Sequence, residues 1–351
     1  MTSEPTWPAI LGALVSGEHL SIAEAGWAMG QVMAGTATPS QLGALLIALR
    51  IKGETVDEVV GFRDAALAHA APLAVPTEVL DIVGTGGDPH GVLNISSAAA
   101  VIAAAAGVPV VKHGNRAASS RSGASDVLVA LGVDIEIPPA RAAEVLAEVG
   151  VTFANAAVHH PGFRHAGPTR REIGVSTLFN VLGPLCNPAR PEASAVGVAD
   201  LARVPLIVGV FQTRGATALV YRGDDGIDKL TTTGHSHIWE VTAGAVQEHD
   251  IDPVELGIPR AAIEDIVGDE PERNAEAIRA VLAGERGPHR DVILLNTAAG
   301  LAAYELWRRP EERFVPLRER LATQLRRAEG VVDSGLAAAR LEAWAAATQR
   351  S

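Results

Sequence analysis

The sequence predicts an α/β protein in two parts: a small N-terminal helical bundle, then a larger α/β domain with a mostly parallel central sheet. Three observations carry this. Helix-start signals recur through roughly the first seventy residues. The composition shifts at Pro72–Pro76, and from Val79 onward short β-branched runs alternate with helical stretches. Such alternation is the pattern of strands joined by crossover helices in a parallel sheet.

The helical part is marked by Ser21-Ile-Ala-Glu24, Thr38-Pro-Ser-Gln41 and Thr55-Val-Asp-Glu58. In each, a hydroxyl can take the N–H three residues on while the acid or amide side chain reaches back, the reciprocal arrangement of a capping box. Thr38-Pro39 also puts proline at the first helical position, where its missing N–H costs nothing. The expected domains are residues 1–72, joined by a later helical segment near 170–190, and residues 77–351. Within the second, VLDIVGT, VPVVKHG, VTFANA, ASAVGV and ALVYRG are the strand candidates. Helical stretches are Asp126–Leu131, Ala140–Glu148, Asn274–Leu282 and Val292–Leu306, with two more between Pro316 and Arg350.

Bulk properties exclude several functions. Acidic residues number 41 against 29 basic ones, a formal net charge of −12. That balance argues against nucleic-acid binding, which demands a broad basic surface. An anionic small molecule remains possible where cations are concentrated locally. The lone cysteine, Cys186, rules out an internal disulfide, and the start MTSEPTWPAI lacks a signal-like basic and apolar region. The apolar window 98–111 is broken by Gly107 and Pro109 and is too short to cross a bilayer. The expectation is a soluble cytoplasmic protein with no membrane partner.

Ligands of open α/β sheets bind beyond the carboxyl ends of the strands, and four loops there hold the unusual residues. The first, Gly84-Thr85-Gly86-Gly87-Asp88, precedes a helix opening near Asn94-Ile95-Ser96-Ser97. Bare main-chain N–H groups and a helix N-terminus suit a phosphate; a tight turn that needs glycine for geometry is the alternative. It is neither a dinucleotide fingerprint, which fails at Pro89, nor a Walker loop. The second loop runs from Lys112 through His113, Gly114, Asn115 and Arg116 to Ser119, Ser120 and Gly123. It is either a solvated polar loop or the local basic concentration that an acidic protein needs to hold a polyanion.

The third loop, His159-His160-Pro161 to Arg170-Arg171-Glu172, offers an arginine for a carboxylate. The adjacent histidines read better as pocket wall than as zinc ligands, since the spacing lacks a cysteine. The fourth, Asp224-Asp225-Gly226-Ile227-Asp228-Lys229, is either a surface turn or a source of carboxylates for Mg²⁺ near a pyrophosphate. His235 and His237 follow it on one face of a possible strand.

Taken together, GTGGD with NIS, KHGNR-x-x-SS-x-SG, HHP…RRE-G, LFNVLGPLCNP at 178–188 and DG-x-D resemble the anthranilate phosphoribosyltransferase family of tryptophan biosynthesis. The likeness runs in one order over roughly residues 5–345. It implies a nucleoside phosphorylase/phosphoribosyltransferase-like fold, with the site at the hinge between domains, and a homodimer formed through the helical part. It implies that 5-phosphoribosyl 1-pyrophosphate meets Gly84, Gly87, Asp88, Asn94, Ser96, Ser97, Lys112, His113, Gly114, Asn115, Arg116, Ser119 and Ser120. Anthranilate would meet Gly84, Asn115, His160 and Arg170. Mg²⁺ would sit on Ser96 and on Asp228. Lys112, Asn115 and Arg170 would carry the catalysis, by positioning and charge rather than by a covalent intermediate.

The sequence departs from the family pattern at several points. The segment DG-x-D-E ends here in Asp228-Lys229, which exchanges a carboxylate for an ammonium at a metal position. Lys229 could instead reach the pyrophosphate. Phe153-Ala-Asn155-Ala156-Ala157 replaces Phe-x-Phe-Ala-Pro, the reading of a more polar and roomier acceptor wall that could admit another aromatic acid. Pro89 and Val92 stand for a glycine and a hydroxyl residue in the glycine loop, and Ala124 for a serine.

Overall fold

The computed structural model describes residues 4–115 and 121–350. Four helices open the chain: α1 (Trp7–Val15), α2 (Ile22–Met33), α3 (Pro39–Lys52) and α4 (Val56–Ala68). All three capping boxes form, at the starts of α2, α3 and α4. The third has a further task. Glu58 is fully buried, and its carboxylate accepts the Thr55 N–H at 2.8 Å, the Leu20 N–H at 2.9 Å and the Lys52 ammonium at 3.0 Å. A buried carboxylate is tolerable only when so fully paired.

The larger part is one seven-stranded sheet in the order β3-β2-β1-β4-β5-β6-β7. The strands are β1 (Leu80–Gly84), β2 (Val110–Gly114), β3 (Val151–Asn155), β4 (Ala193–Gly197), β5 (Thr217–Gly223), β6 (Ser236–Thr242) and β7 (Ala245–Ile251). β1 to β5 are parallel, whereas β6 and β7 extend the edge as an antiparallel hairpin. The remaining helices are α5 (Ile95–Ala105), α6 (Ala124–Ala130), α7 (Pro139–Val149), α8 (Ala156–His159), α9 (Gly167–Ile173), α10 (Phe179–Leu185), α11 (Val204–Arg214), α12 (Pro271–Leu282), α13 (Pro288–Arg308), α14 (Leu317–Asp333) and α15 (Leu336–Thr348).

Strand alternation divides the core. Leu80, Ile82, Ala195 and Leu219 point to one face, where α5 and α13 cover them, with α14 and α15 packed around α5. Val83, Val196 and Val220 point to the other, into a cluster shared with α10, α11 and the bundle residues Met29, Leu45 and Phe62. α9 packs on α3 and α10 on α4, so residues 167–185 lie against the bundle. The cleft opens at the carboxyl ends of β1 and β2, where these layers meet. No helix among the described residues is long and apolar enough to cross a membrane.

Candidate active site

The cleft, about 330 Å³, is floored by the turn after β1. Gly86 and Gly87 take φ of +70° and +78°, a region that side chains rarely adopt. Asp88 shapes the turn from within: Oδ1 accepts N–H groups of His90 at 2.9 Å and Gly91 at 2.7 Å. Pro89 lies against Gly226, and Val92 is held by a backbone bridge to Val267. The two departures in this loop thus have structural tasks.

At the head of α5, Ser96 and Ser97 line the cleft, and the buried Ser96 Oγ has no hydrogen-bond partner. The Asn94 side chain works as a joint between loops. Its Oδ1 accepts from Ser122 Oγ and from Asn274 Nδ2, both at 2.9 Å, and its Nδ2 donates to the Ser122 carbonyl at 3.0 Å.

Across the cleft the 224–231 segment comes down onto the strand ends. Gly84 and Gly197 stand side by side in the β1–β4 register. A Cβ on Gly84 would overlap Asp228 Oδ2, and one on Gly197 would overlap the Asp228 carbonyl. Both glycines are therefore required by close approach. Asp228 Oδ2 accepts the Gly86 N–H at 2.8 Å, and Oδ1 lies 2.5 Å from Lys229 Nζ.

The second loop begins on β2. Lys112 is buried, and its ammonium donates to the Ile82 carbonyl at 2.7 Å. Burial pulls its pKa down to about 8; Lys229 acts in the same direction, against the pull of Asp81 and Asp228. Burial likewise pushes the Asp81 carboxyl up to about 6, against Lys112 and the Asn187 amide. His113 points to the opposite face: its Nδ1–H donates to the Gly183 carbonyl at 2.8 Å, leaving Nε2 buried without a partner. Burial, reinforced by His160, brings the His113 pKa down to about 3, so the ring is neutral and adds no charge toward a phosphate. Gly114 and Asn115 line the cleft, with the Gly114 backbone close against the Phe153 ring. Arg116, Ser119 and Ser120 lie outside the described residues.

The facing wall belongs to residues 163–183. Arg170 reaches over the Phe179 ring, 4.8 Å from its centre. It has no carboxylate partner among the described residues, and burial lowers its pKa. An arginine so placed lacks an anion and presents a fork suited to a carboxylate. His160 stands behind this wall rather than in it. Its Nε2–H donates to the Cys186 carbonyl at 2.7 Å, and its ring stacks on Phe163, which is the residue that lines the cleft. His160 therefore bears on the cleft through the Phe163 ring.

Asn155 also needs correcting. Its Oδ1 caps α8 by accepting the Ala157 N–H at 3.0 Å, and its Nδ2 donates to the Ile135 carbonyl at 3.1 Å. It is buried away from the cleft, and Ala157 is exposed outside it, so neither widens the acceptor wall. Asn155→Ala should cost about 1–2 kcal/mol through the lost cap and an orphaned carbonyl. It should leave the acceptor KM within about twofold; denaturant titration beside steady-state kinetics would check both.

His235 and His237 pair with Asp250 and Glu248 on the β6–β7 hairpin, away from the cleft. Among the described residues no three His, Cys, Asp or Glu side chains cluster as a metal site would. Thr85, Phe163, Phe179 and Asn180 line the cleft without having been singled out as ligand contacts. Phe179 and Asn180 lay inside the LFNVLGPLCNP stretch, where the motif was visible but its facing was not.

One cleft thus joins a glycine turn, a helix N-terminus, a buried lysine and an unpaired serine hydroxyl to an arginine over an aromatic ring. Residues 8–70 match the helical bundle domain of the glycosyl transferase family, and residues 76–338 its a/b domain. The anthranilate phosphoribosyltransferase of Clavibacter michiganensis subsp. michiganensis is 70% identical over 350 residues, which is 99% of this chain and 100% of that protein. That of Leifsonia xyli subsp. xyli is 61% identical over 349 residues, 99% of this chain and 100% of its own. The crystal structure of anthranilate phosphoribosyltransferase from Thermus thermophilus superposes with a TM-score of 0.88 at 40% identity, covering 97% of this chain and 99% of that one. The Saccharomyces cerevisiae enzyme, solved in complex with PRPP and Mg, shares the fold at a TM-score of 0.88 and 24% identity over 99% of both chains. By fold, cleft and full-length likeness, the chain belongs to the glycosyl transferase family, and within it to the anthranilate phosphoribosyltransferases.

Proposed function

We propose that this cleft transfers the phosphoribosyl group of 5-phosphoribosyl 1-pyrophosphate to the amine of anthranilate, releasing pyrophosphate, a step of tryptophan biosynthesis. The observation that carries this is the division of one cleft into two chemically distinct halves. Lys112, the glycine turn and the α5 N-terminus form an anion-seeking half, and Arg170 over Phe179 forms a carboxylate-seeking, aromatic half.

The chemistry follows from what these groups can do. The sugar carbon gains positive character as pyrophosphate leaves, so the departing charge must be met at the cradle. Lys112 and the positive end of α5 are already placed to meet it. The aryl amine is neutral near pH 7 and needs no strong base. Arg170 would hold the acceptor carboxylate, with Phe179 against the ring, so that the amine approaches the face opposite the leaving group. The Ser96 Oγ, buried and without a partner, fits a ligand to Mg²⁺. Bound there, the ion would neutralise the departing pyrophosphate.

Loss of anthranilate fluorescence with the donor and Mg²⁺, beside a panel of substituted aminobenzoates, tests the assignment. Turnover of another panel member without anthranilate turnover would overturn it. The structure favours no second acceptor, because Asn155 and Ala157 do not reach the cleft. Arg170→Ala should raise the anthranilate KM at least about tenfold while moving the donor KM far less, as expected for loss of one charge-assisted contact. Equal effects on both substrates would show that the halves are not separate.

The bundle also carries Val15, Ile22 and Ile51 exposed on α1, α2 and α3. These support self-association of two chains through the helical layer, which sedimentation of the wild type and of Ile51→Glu would check. Burial pushes the Cys186 thiol up to about 12, so it stays protonated and unreactive.

A further inference from the structure

The cleft offers two places where positive charge can meet a doubly phosphorylated sugar, and they are built differently. At the head of α5 the buried Ser96 hydroxyl has no hydrogen-bond partner. Opposite, the Asp228 carboxylate is already engaged on both oxygens, by the Gly86 N–H at 2.8 Å and by the Lys229 ammonium at 2.5 Å. Lys229 Nζ also donates to the Asp228 carbonyl at 2.9 Å. Asp228 is 2% exposed and Lys229 8%. The space above Gly84 is filled by this pair, since a Cβ there would lie 2.9 Å from Lys229 Nζ.

A hard divalent cation needs several oxygen ligands in a near-octahedral shell. At Asp228 it would meet an ammonium bonded to the same carboxylate, which repels it and occupies its room. Charge balance leads to the same place. Asp81, Asp228 and Lys229 all act on the buried Lys112, and the formal charges of the four groups sum to zero. With a carboxylate at position 229, three negative groups would face one ammonium, a deficit equal to the charge of one divalent cation. Buried charge that is not balanced within the chain must be balanced by a ligand.

We infer that Lys229 is a built-in counter-charge standing where a second divalent cation would otherwise bind, so this chain takes up its phosphoribosyl donor with one such ion, at Ser96. This rests on the transferase reading above. The test is to soak crystals with 5-phosphoribosyl 1-pyrophosphate and Mn²⁺, without acceptor, and to locate the metal by anomalous scattering. The expected result is a single Mn²⁺ beside Ser96 and none within about 2.5 Å of Asp228. Lys229→Glu should add a second ion at Asp228. In solution, Mn²⁺ counted by electron paramagnetic resonance over a donor-only blank should rise from about one to about two per chain. Two ions in the wild type, or one in a folded Lys229→Glu, overturn the inference. The wild-type count decides it even where the variant fails to fold. Donor bound with two ions sinks this inference alone, whereas no donor and no metal in the cleft brings down the transferase reading with it.

Discussion

Gly197→Ala should lower the melting temperature by about 2 °C or more and reduce kcat/KM roughly a hundredfold. The added methyl has nowhere to go. It would overlap the Asp228 main-chain carbonyl, and backbone gives way far less readily than the end of a side chain. Overpacking of this kind costs about 1–3 kcal/mol or more even where the surroundings relax. The relaxation open to this site is retreat of the 224–231 segment, which draws Asp228 from the Gly86 N–H and Lys229 from the cleft. Gly84→Ala should act in the same way from the neighbouring strand, there against the Asp228 carboxylate itself. Calorimetry and donor titration on both variants would check this. A normal melting temperature with normal kinetics would show that the segment is looser than its contacts imply.

Lys112→Met should lower kcat/KM for the donor by about a hundred- to a thousandfold, the range seen when one preorganised stabiliser of a departing anion is removed. The acceptor KM should change much less, because Arg170 lies on the other wall. The same residue predicts a pH limb. In the free enzyme the Lys112 pKa is drawn down to about 8, chiefly by burial. The charged ammonium is the form that serves a polyanion, so kcat/KM should be level below that pH and fall as pH rises through it. In Lys112→Met the limb should vanish along with most of the activity. A wild-type limb that persisted in the variant would assign it to another group.

What could be read in the sequence was what is decided locally. The three capping boxes form because hydroxyl and returning acid sit three residues apart whatever surrounds them. The five parallel strands declared themselves by β-branched runs ending in glycine or polar loops. The β6–β7 hairpin did not. Its two-residue turn, Ala243-Gly244, takes φ of +48° and +76°, the mirror-image turn usually marked by Asn-Gly. Alanine at the first position hides that mark.

The site shows the same limit. Motifs told which residues gather at the strand ends, but facing is a property of three dimensions. Asn155 ends β3 and at once caps α8, so its amide is committed to backbone. His160 is pinned by the Cys186 carbonyl, far along the chain. The charge reversal at Lys229 was visible in the sequence. That the ammonium folds back onto its own neighbour depends on how the 224–231 segment packs on Gly84 and Gly197, which no local pattern records.

The floor of the cleft hangs from β1, β2 and α5, while its arginine wall hangs from α9 and α10, which pack on α3 and α4. The gap between amine and sugar carbon is thus inherited from how α9 and α10 are wedged between sheet and bundle rather than from any single loop. Acceptor preference can be retuned from the bundle side while the sugar's anchorage stays as it is, and a change buried among the first four helices can shift catalysis without touching either reactant.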